Sequence, residues 1–205
     1  ANRFWDNDKG FVWLLAFMVI LIVTSQLSAG LIANLLIVRI VFLAFTIIAI
    51  ASSVLSSRGK RIGYGVALAV FLLGISLLKF HNPILVWVYS MLLTSYMGFI
   101  LLLIVKQIFN GESITFRKIG GGIAAYLLLG HLWASLYVTV YLVNQEAFLA
   151  GGQPVAPGEA LRQLSYFSFV TLTTTGYGDI TAVGPLARTL GIFESLTGQL
   201  FPAVF

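Results

Sequence analysis

The chain has 205 residues, of which 59% are hydrophobic and 9% charged, with a net charge of +5. Soluble domains carry about 25% charged residues, so a water-facing globule is excluded for most of the chain and lipid is the expected solvent. Cysteine is absent, which excludes disulfides and thiolate metal sites. The basic excess lies in short breaks between apolar runs, a pattern that predicts membrane orientation rather than a nucleic-acid partner.

A run of about 20 apolar residues crosses a bilayer as a helix. In chain order the first is Phe11–Ala29. Ser28-Ala29-Gly30 imitates a leader cleavage site, but the run is long and its flank mixes Asp6 and Asp8 with Arg3 and Lys9. A retained transmembrane helix is expected. Leu31–Val54 follows and carries Arg39 at its middle. An intramembrane charge is either functional or held by an ion pair or snorkelling. After a basic break, Ser56–Arg61, come Ile62–Leu78 and, beyond Lys79–Pro83, Ile84–Val105. His81 beside Asn82-Pro83 reads as a solvated loop residue. Lys106–Lys118 is a second basic break and a candidate amphipathic linker.

The fifth run, Ile119–Val143, contains His131, which could sense pH or pack as a neutral, hydrogen-bonded side chain. Trp5, Trp13, Trp87 and Trp133 are candidate interface markers, Trp5 and Trp87 fitting best. A long break with Gly151, Gly152, Pro154, Pro157 and Gly158 comes next. Pro157-Gly158-Glu159 then opens a short helix to Leu172. It is about 21 Å long, too short to span. The last run is Pro185–Phe205, with Glu194 and Gly198 inside it. Glu194 either tunes ion concentration in a cavity or bonds the base of the short helix, since buried acids need partners.

Arg58, Lys60 and Arg61 share loop parity with Lys106, Arg117 and Lys118. Both breaks, and with them both termini, are expected to be cytoplasmic, in a multi-pass cell-membrane protein. The pattern predicts an all-α membrane protein of six transmembrane helices plus one re-entrant helix.

Between the short helix and the last run lies Thr173-Thr174-Thr175-Gly176-Tyr177-Gly178-Asp179. Glycine and three β-branched residues oppose a helix, and glycine weakens a strand. Irregular backbone within a membrane is tolerated only where protein buries it or water fills a cavity. A pore-lining segment is therefore expected, with backbone carbonyls replacing an ion's water. For successive carbonyls to face one way, alternate residues need unusual backbone angles, which Gly176 and Gly178 reach without steric cost.

The order Thr-Thr-x-Gly-Tyr-Gly-Asp resembles the selectivity filter of the potassium-channel superfamily. The resemblance implies K+ as permeant ion, bound by the carbonyls of Thr174, Thr175, Gly176 and Tyr177 and by the Thr174 hydroxyl at the inner mouth. It implies an outer helix, pore helix, filter and inner helix in Ile119–Val143, Glu159–Leu172, Thr173–Asp179 and Pro185–Phe205. Gly198 falls where relatives often have a gating hinge. Thr175 stands where valine or isoleucine is usual. Val170 stands where some bacterial channels have a glutamate behind the filter, paired with the aspartate that is Asp179 here. Tyr166 and Phe167 replace two bracing tryptophans. One filter segment per chain implies a homotetramer in the bilayer, since four loops build such a ring.

Six helices also resemble the layout of voltage-gated channels, whose fourth helix carries regularly spaced arginines. Ile84–Val105 has no Lys, Arg, Asp or Glu, and an uncharged helix does almost no work in the membrane field. Residues 1–109 are expected to form a sensor-like four-helix domain without gating arginines, and 110–205 the pore domain. The reading is a potassium-selective channel without conventional voltage gating, and not an enzyme. Rival readings are a weakly selective cation channel and a non-conducting sensor or partner-binding subunit with a pore-like fold.

Overall fold

A computed structural model of the chain describes residues 9–27, 32–53, 55–79, 82–109 and 116–204. Four long helices come first: α1 (Lys9–Leu27), α2 (Ile32–Ser52), α3 (Ser57–Ser76) and α4 (Pro83–Phe109). Helix α5 (Phe116–Val143) is followed by strands β1 (Phe148–Ala150) and β2 (Gln153–Pro154). Then come the short helix α6 (Ala160–Leu172), strand β3 (Ile180–Ala182) and helix α7 (Pro185–Val204). Ser57–Ser76, Pro83–Lys106 and Ile119–Val143 are each long and apolar enough to cross a membrane, while Trp13–Leu27 and Leu35–Ala51 are shorter apolar stretches. Helix α7 is not in that group; Arg188, Glu194 and Gln199 lower its hydropathy.

Helix starts follow local chemistry. Ser56 caps α3, its side chain accepting from Gly59 N at 3.2 Å. Arg58, Lys60 and Arg61 therefore lie in the first turns of α3 and not in a loop, which corrects the expected break. Lys60 Nζ donates to the Ala51 carbonyl at 2.8 Å, at the negative end of α2. At α4, Asn82 Oδ1 accepts from Ile84 N and Leu85 N at 3.0 and 3.3 Å, with Pro83 at the first helical position. The expected amphipathic linker is partly absorbed: α4 runs on to Phe109 and α5 begins at Phe116. Residues 110–115 lie outside the described ones, as do His81, Trp5 and the imitation cleavage site, 28–30.

The core has two parts. Leu14, Met18, Phe45, Ile50, Met97, Ile100 and Ile104 pack among the first four helices, together with Ala124, Ala125 and Leu128 of α5. Further along α5, Trp133, Tyr137 and Tyr141 join Phe148, Leu164, Leu172 and Ala187 in the second. Helices α4 and α5 run antiparallel and are joined by two buried or half-buried hydroxyl pairs. Ser90 Oγ lies 2.6 Å from Thr139 Oγ1, and Thr94 Oγ1 lies 2.6 Å from Ser135 Oγ.

One feature departs from an all-α reading. The break after Val143 folds into a small antiparallel sheet, ordered β2-β1-β3. Gly151 and Gly152, at φ 54° and 81°, make the turn that pairs Ala150 with Gln153. Strand β3 pairs with β1, Ala150 opposite Ile180 and Phe148 opposite Ala182.

Candidate functional site

The Thr173–Asp179 segment hangs between two anchors. Helix α6 supplies the first. Pro157–Glu159 form a single 3-10 turn before it, and Glu159 pairs with Arg162. The far end of α6 is finished by the segment itself: the Val170 carbonyl accepts from Thr175 N at 2.9 Å and Gly176 N at 3.3 Å. Val170 thus contributes to this segment through its backbone. The second anchor is the sheet. Gly151 N donates to the Asp179 carbonyl at 3.0 Å, and β3 starts at the next residue.

Between the anchors the backbone alternates in hand. Thr174, Gly176 and Gly178 have φ of 58°, 58° and 78°, while no positive φ occurs at Thr173, Thr175 or Tyr177. Flipping every second residue into the left-handed region is what turns successive carbonyls toward a common side. Glycine does this without cost; threonine at positive φ is a genuine outlier. Thr174 is the site residue whose geometry the sequence hid, because a β-branched side chain argues against that conformation.

The Thr175 hydroxyl lies 2.9 Å from Thr173 Oγ1, which itself donates to the Phe169 carbonyl at 2.7 Å. The threonine side chains are therefore tied back to α6. Tyr166 lies behind the segment and its hydroxyl interacts with Asp179. Phe167 turns the other way, its ring 5.0 Å from Tyr137 and 5.7 Å from Phe148.

Within one chain the segment is bare. Residues 173–179 are all exposed, Tyr177 at 71%, and a side chain added at Gly176 or Gly178 would meet nothing within 4 Å. Gly198 is the opposite. A Cβ there would lie 1.9 Å from the Leu172 carbonyl oxygen, so α7 crosses the end of α6 at backbone contact and glycine is required for packing alone. Helix α7 is continuous through this point.

The polar junction behind α6 bears out one of the two roles expected for Glu194, the bond to the short helix; its serine, tyrosine and carbonyl partners are what sequence reasoning missed. Ser168 Oγ donates to the Gly130 carbonyl at 2.7 Å, and Tyr137 and Ser168 both bond the Glu194 carboxyl group. The buried acid itself was the available signal. Trp133 Nε1 donates to Thr197 Oγ1 at 3.2 Å. His131 is buried, 3.0 Å from the Leu127 carbonyl through Nδ1 and edge-on to Phe169. Arg39 places its guanidinium 5.8 Å from the Tyr89 ring centre, and its Nη1 has no hydrogen-bond partner among the described residues.

Residues 127–205 match a protein-family model described as an ion channel. The inward rectifier potassium channel Kirbac3.1 of Paramagnetospirillum magnetotacticum is 37% identical over 76 residues, covering 36% of this chain and 25% of that protein. Protein LctB of Geobacillus stearothermophilus is 36% identical over 81 residues, covering 38% of this chain and 58% of its own length. The matches thus span a quarter and somewhat over half of these relatives. No solved structure matches the chain. The C-terminal part therefore matches an ion-channel domain. Through this stretch the chain is similar to potassium channels.

Proposed function

We propose that four copies of this chain form a potassium-selective channel, with Thr173–Asp179 as its filter. The observation that carries this reading is the alternating backbone at Thr174, Gly176 and Gly178, in a segment anchored at both ends and exposed between them. Four such segments around one axis would face each other with the carbonyls of Thr174, Thr175, Gly176 and Tyr177. The Thr174 hydroxyl would close the inner mouth. Those oxygens replace the hydration shell of a potassium ion and release it again. The C-terminal, negative end of α6 points toward the same axis and favours a cation below the filter. Tyr166 holds Asp179 at the outer mouth, a partnership that stands in for the missing glutamate at Val170.

In this reading the chain crosses the membrane six times, with both ends cytoplasmic, and residues 1–109 flank the pore domain at 110–205. Two contacts support the threading. Gln26, at the end of α1, donates to the Arg162 carbonyl near the start of α6 at 3.4 Å. Both therefore lie on one side, the outer one. The antiparallel α4–α5 pair fits the same parity. Potassium flows passively down its electrochemical gradient, and no resident cofactor takes part.

The test is ion flux into liposomes carrying the purified protein. Potassium flux far above sodium flux is expected. Equal fluxes would establish the weakly selective alternative, and no flux a non-conducting subunit.

A further inference from the structure

Glu194 sits where α5, α6 and α7 meet and is fully buried, at 0% exposure. Its Oε2 accepts the Tyr137 hydroxyl of α5. Its Oε1 lies 2.5 Å from Ser168 Oγ of α6. The same Ser168 Oγ lies 2.7 Å from the Gly130 carbonyl of α5. Each of these three oxygen–oxygen contacts needs a proton between its atoms. The two hydroxyls supply one each and a carbonyl supplies none. With the Tyr137 proton on Oε2 and the Ser168 proton on Gly130, the third has to come from Glu194. An ionised carboxylate would instead face the lone pairs of Ser168 with no proton between them.

The surroundings agree. From α5 the carboxyl group meets Tyr137 and, further off, Tyr126, whose hydroxyl donates to the Leu172 carbonyl. His131, next to Gly130, is turned to Leu127 and Phe169. From α6 it meets Ser168. Tyr166 of that helix is turned to Asp179, and Arg162 to Glu159. On α7 itself Thr197 donates to the Glu194 backbone carbonyl, and Arg188 donates to the Ala182 carbonyl near β3. The only ion pair among the described residues is Arg162 with Glu159. A buried carboxylate with no cation beside it is strongly disfavoured against its neutral form.

We infer that Glu194 works as a neutral carboxylic acid, a positioning residue that donates to Ser168 and holds α6 against α5 and α7, and that alkaline ionisation of this group shuts conduction. Ser168 lies two residues before Val170, whose carbonyl receives Thr175 N and Gly176 N. Once Glu194 has lost its proton to alkaline solvent, the Ser168 hydroxyl turns to donate to the carboxylate, the Gly130 link opens and the footing of the filter shifts. The second half rests on the proposed conduction; the protonation state does not.

Infrared difference spectra between the reconstituted wild type and Glu194→Gln test the protonation without any ion flux. A protonated carboxyl C=O band should be present in the wild type at neutral pH, disappear at alkaline pH and be missing from the variant. Absence of that band at neutral pH overturns the inference even if the channel conducts. In the liposome assay, wild-type potassium flux should fall about tenfold from neutral to alkaline pH, the worth of one hydrogen bond to a charged group. Glu194→Gln keeps one donor and one acceptor and should conduct with a flat pH profile; the same alkaline loss in that variant overturns the switch. Should Glu194→Gln fail to assemble, Ser168→Ala serves. It removes the acceptor, so the carboxyl band should move to higher wavenumber, and an unmoved band refutes the Ser168 contact.

Discussion

Thr174 and Gly178 illustrate two residues asked for the same unusual geometry. Gly178 adopts φ 78° freely. Thr174 adopts φ 58° only because its neighbours hold it there: Thr174 N donates to the Thr171 carbonyl at 2.9 Å, and Thr175 N to Val170. Strain of about 1–3 kcal/mol persists only where the surroundings over-determine it, and it gathers at functional sites. Gly178→Ala adds a Cβ at left-handed φ, at roughly 1–2 kcal/mol per copy, with open space around it. The chain should still fold while selective potassium flux is abolished. Wild-type flux from the alanine variant would sink the filter assignment. The glycines were readable in the sequence because their chemistry names their conformation. Thr174 was not, since its conformation comes from its surroundings. Gly198 carried an ambiguous signal: the letter says that room is needed, and only the crossing with Leu172 says why.

Among the elements, the fourth helix is the one on which the proposed indifference to voltage rests. It has no charge from Ile84 to Val105, and it is fastened to α5 by Ser90–Thr139 and Thr94–Ser135. Interhelical hydrogen bonds in membranes average about 0.6 kcal/mol each, so the pairs add register and a modest hold on top of packing. Moving a unit charge through the full field yields about 2.3 kcal/mol per 100 mV, and this helix offers no such charge. Open probability in a planar bilayer should therefore change only shallowly with voltage; steep activation would contradict the reading. Long apolar helices were legible because composition and length alone define them. The sheet was not. Strands of two or three residues are too short for any alternation, and the sheet exists through pairing between residues that flank the filter on both sides. The start of α3 was misplaced because its basic residues suggested a loop, whereas the Ser56 cap made them its first turn.

At the level of the whole molecule, a single chain leaves its central segment uncovered. The grooves beside it, one lined by Tyr166, Val170, Gly176 and Asp179 and another by Thr171, Ile192, Ser195 and Leu196, lie open in the single chain. Copies of the chain around a common axis would fill them. Mass measurement of the protein in lipid nanodiscs should give four chains per particle, and a stable monomer that still conducts would refute this assembly. The motif pointed to a channel-like part at 110–205, and the ion-channel family match falls within it, at 127–205. The placing of the first four helices was not, because uniformly greasy faces do not declare which neighbour they prefer.

Helix α5 serves two masters: Ala124, Ala125 and Leu128 sit with the leading helices, while Trp133, Tyr137 and Tyr141 sit with β1, α6 and α7. Cutting the chain ahead of residue 116 would strip one flank of that helix and hand it to lipid tails. The C-terminal helices alone would then carry an apolar flank that the full chain covers from within.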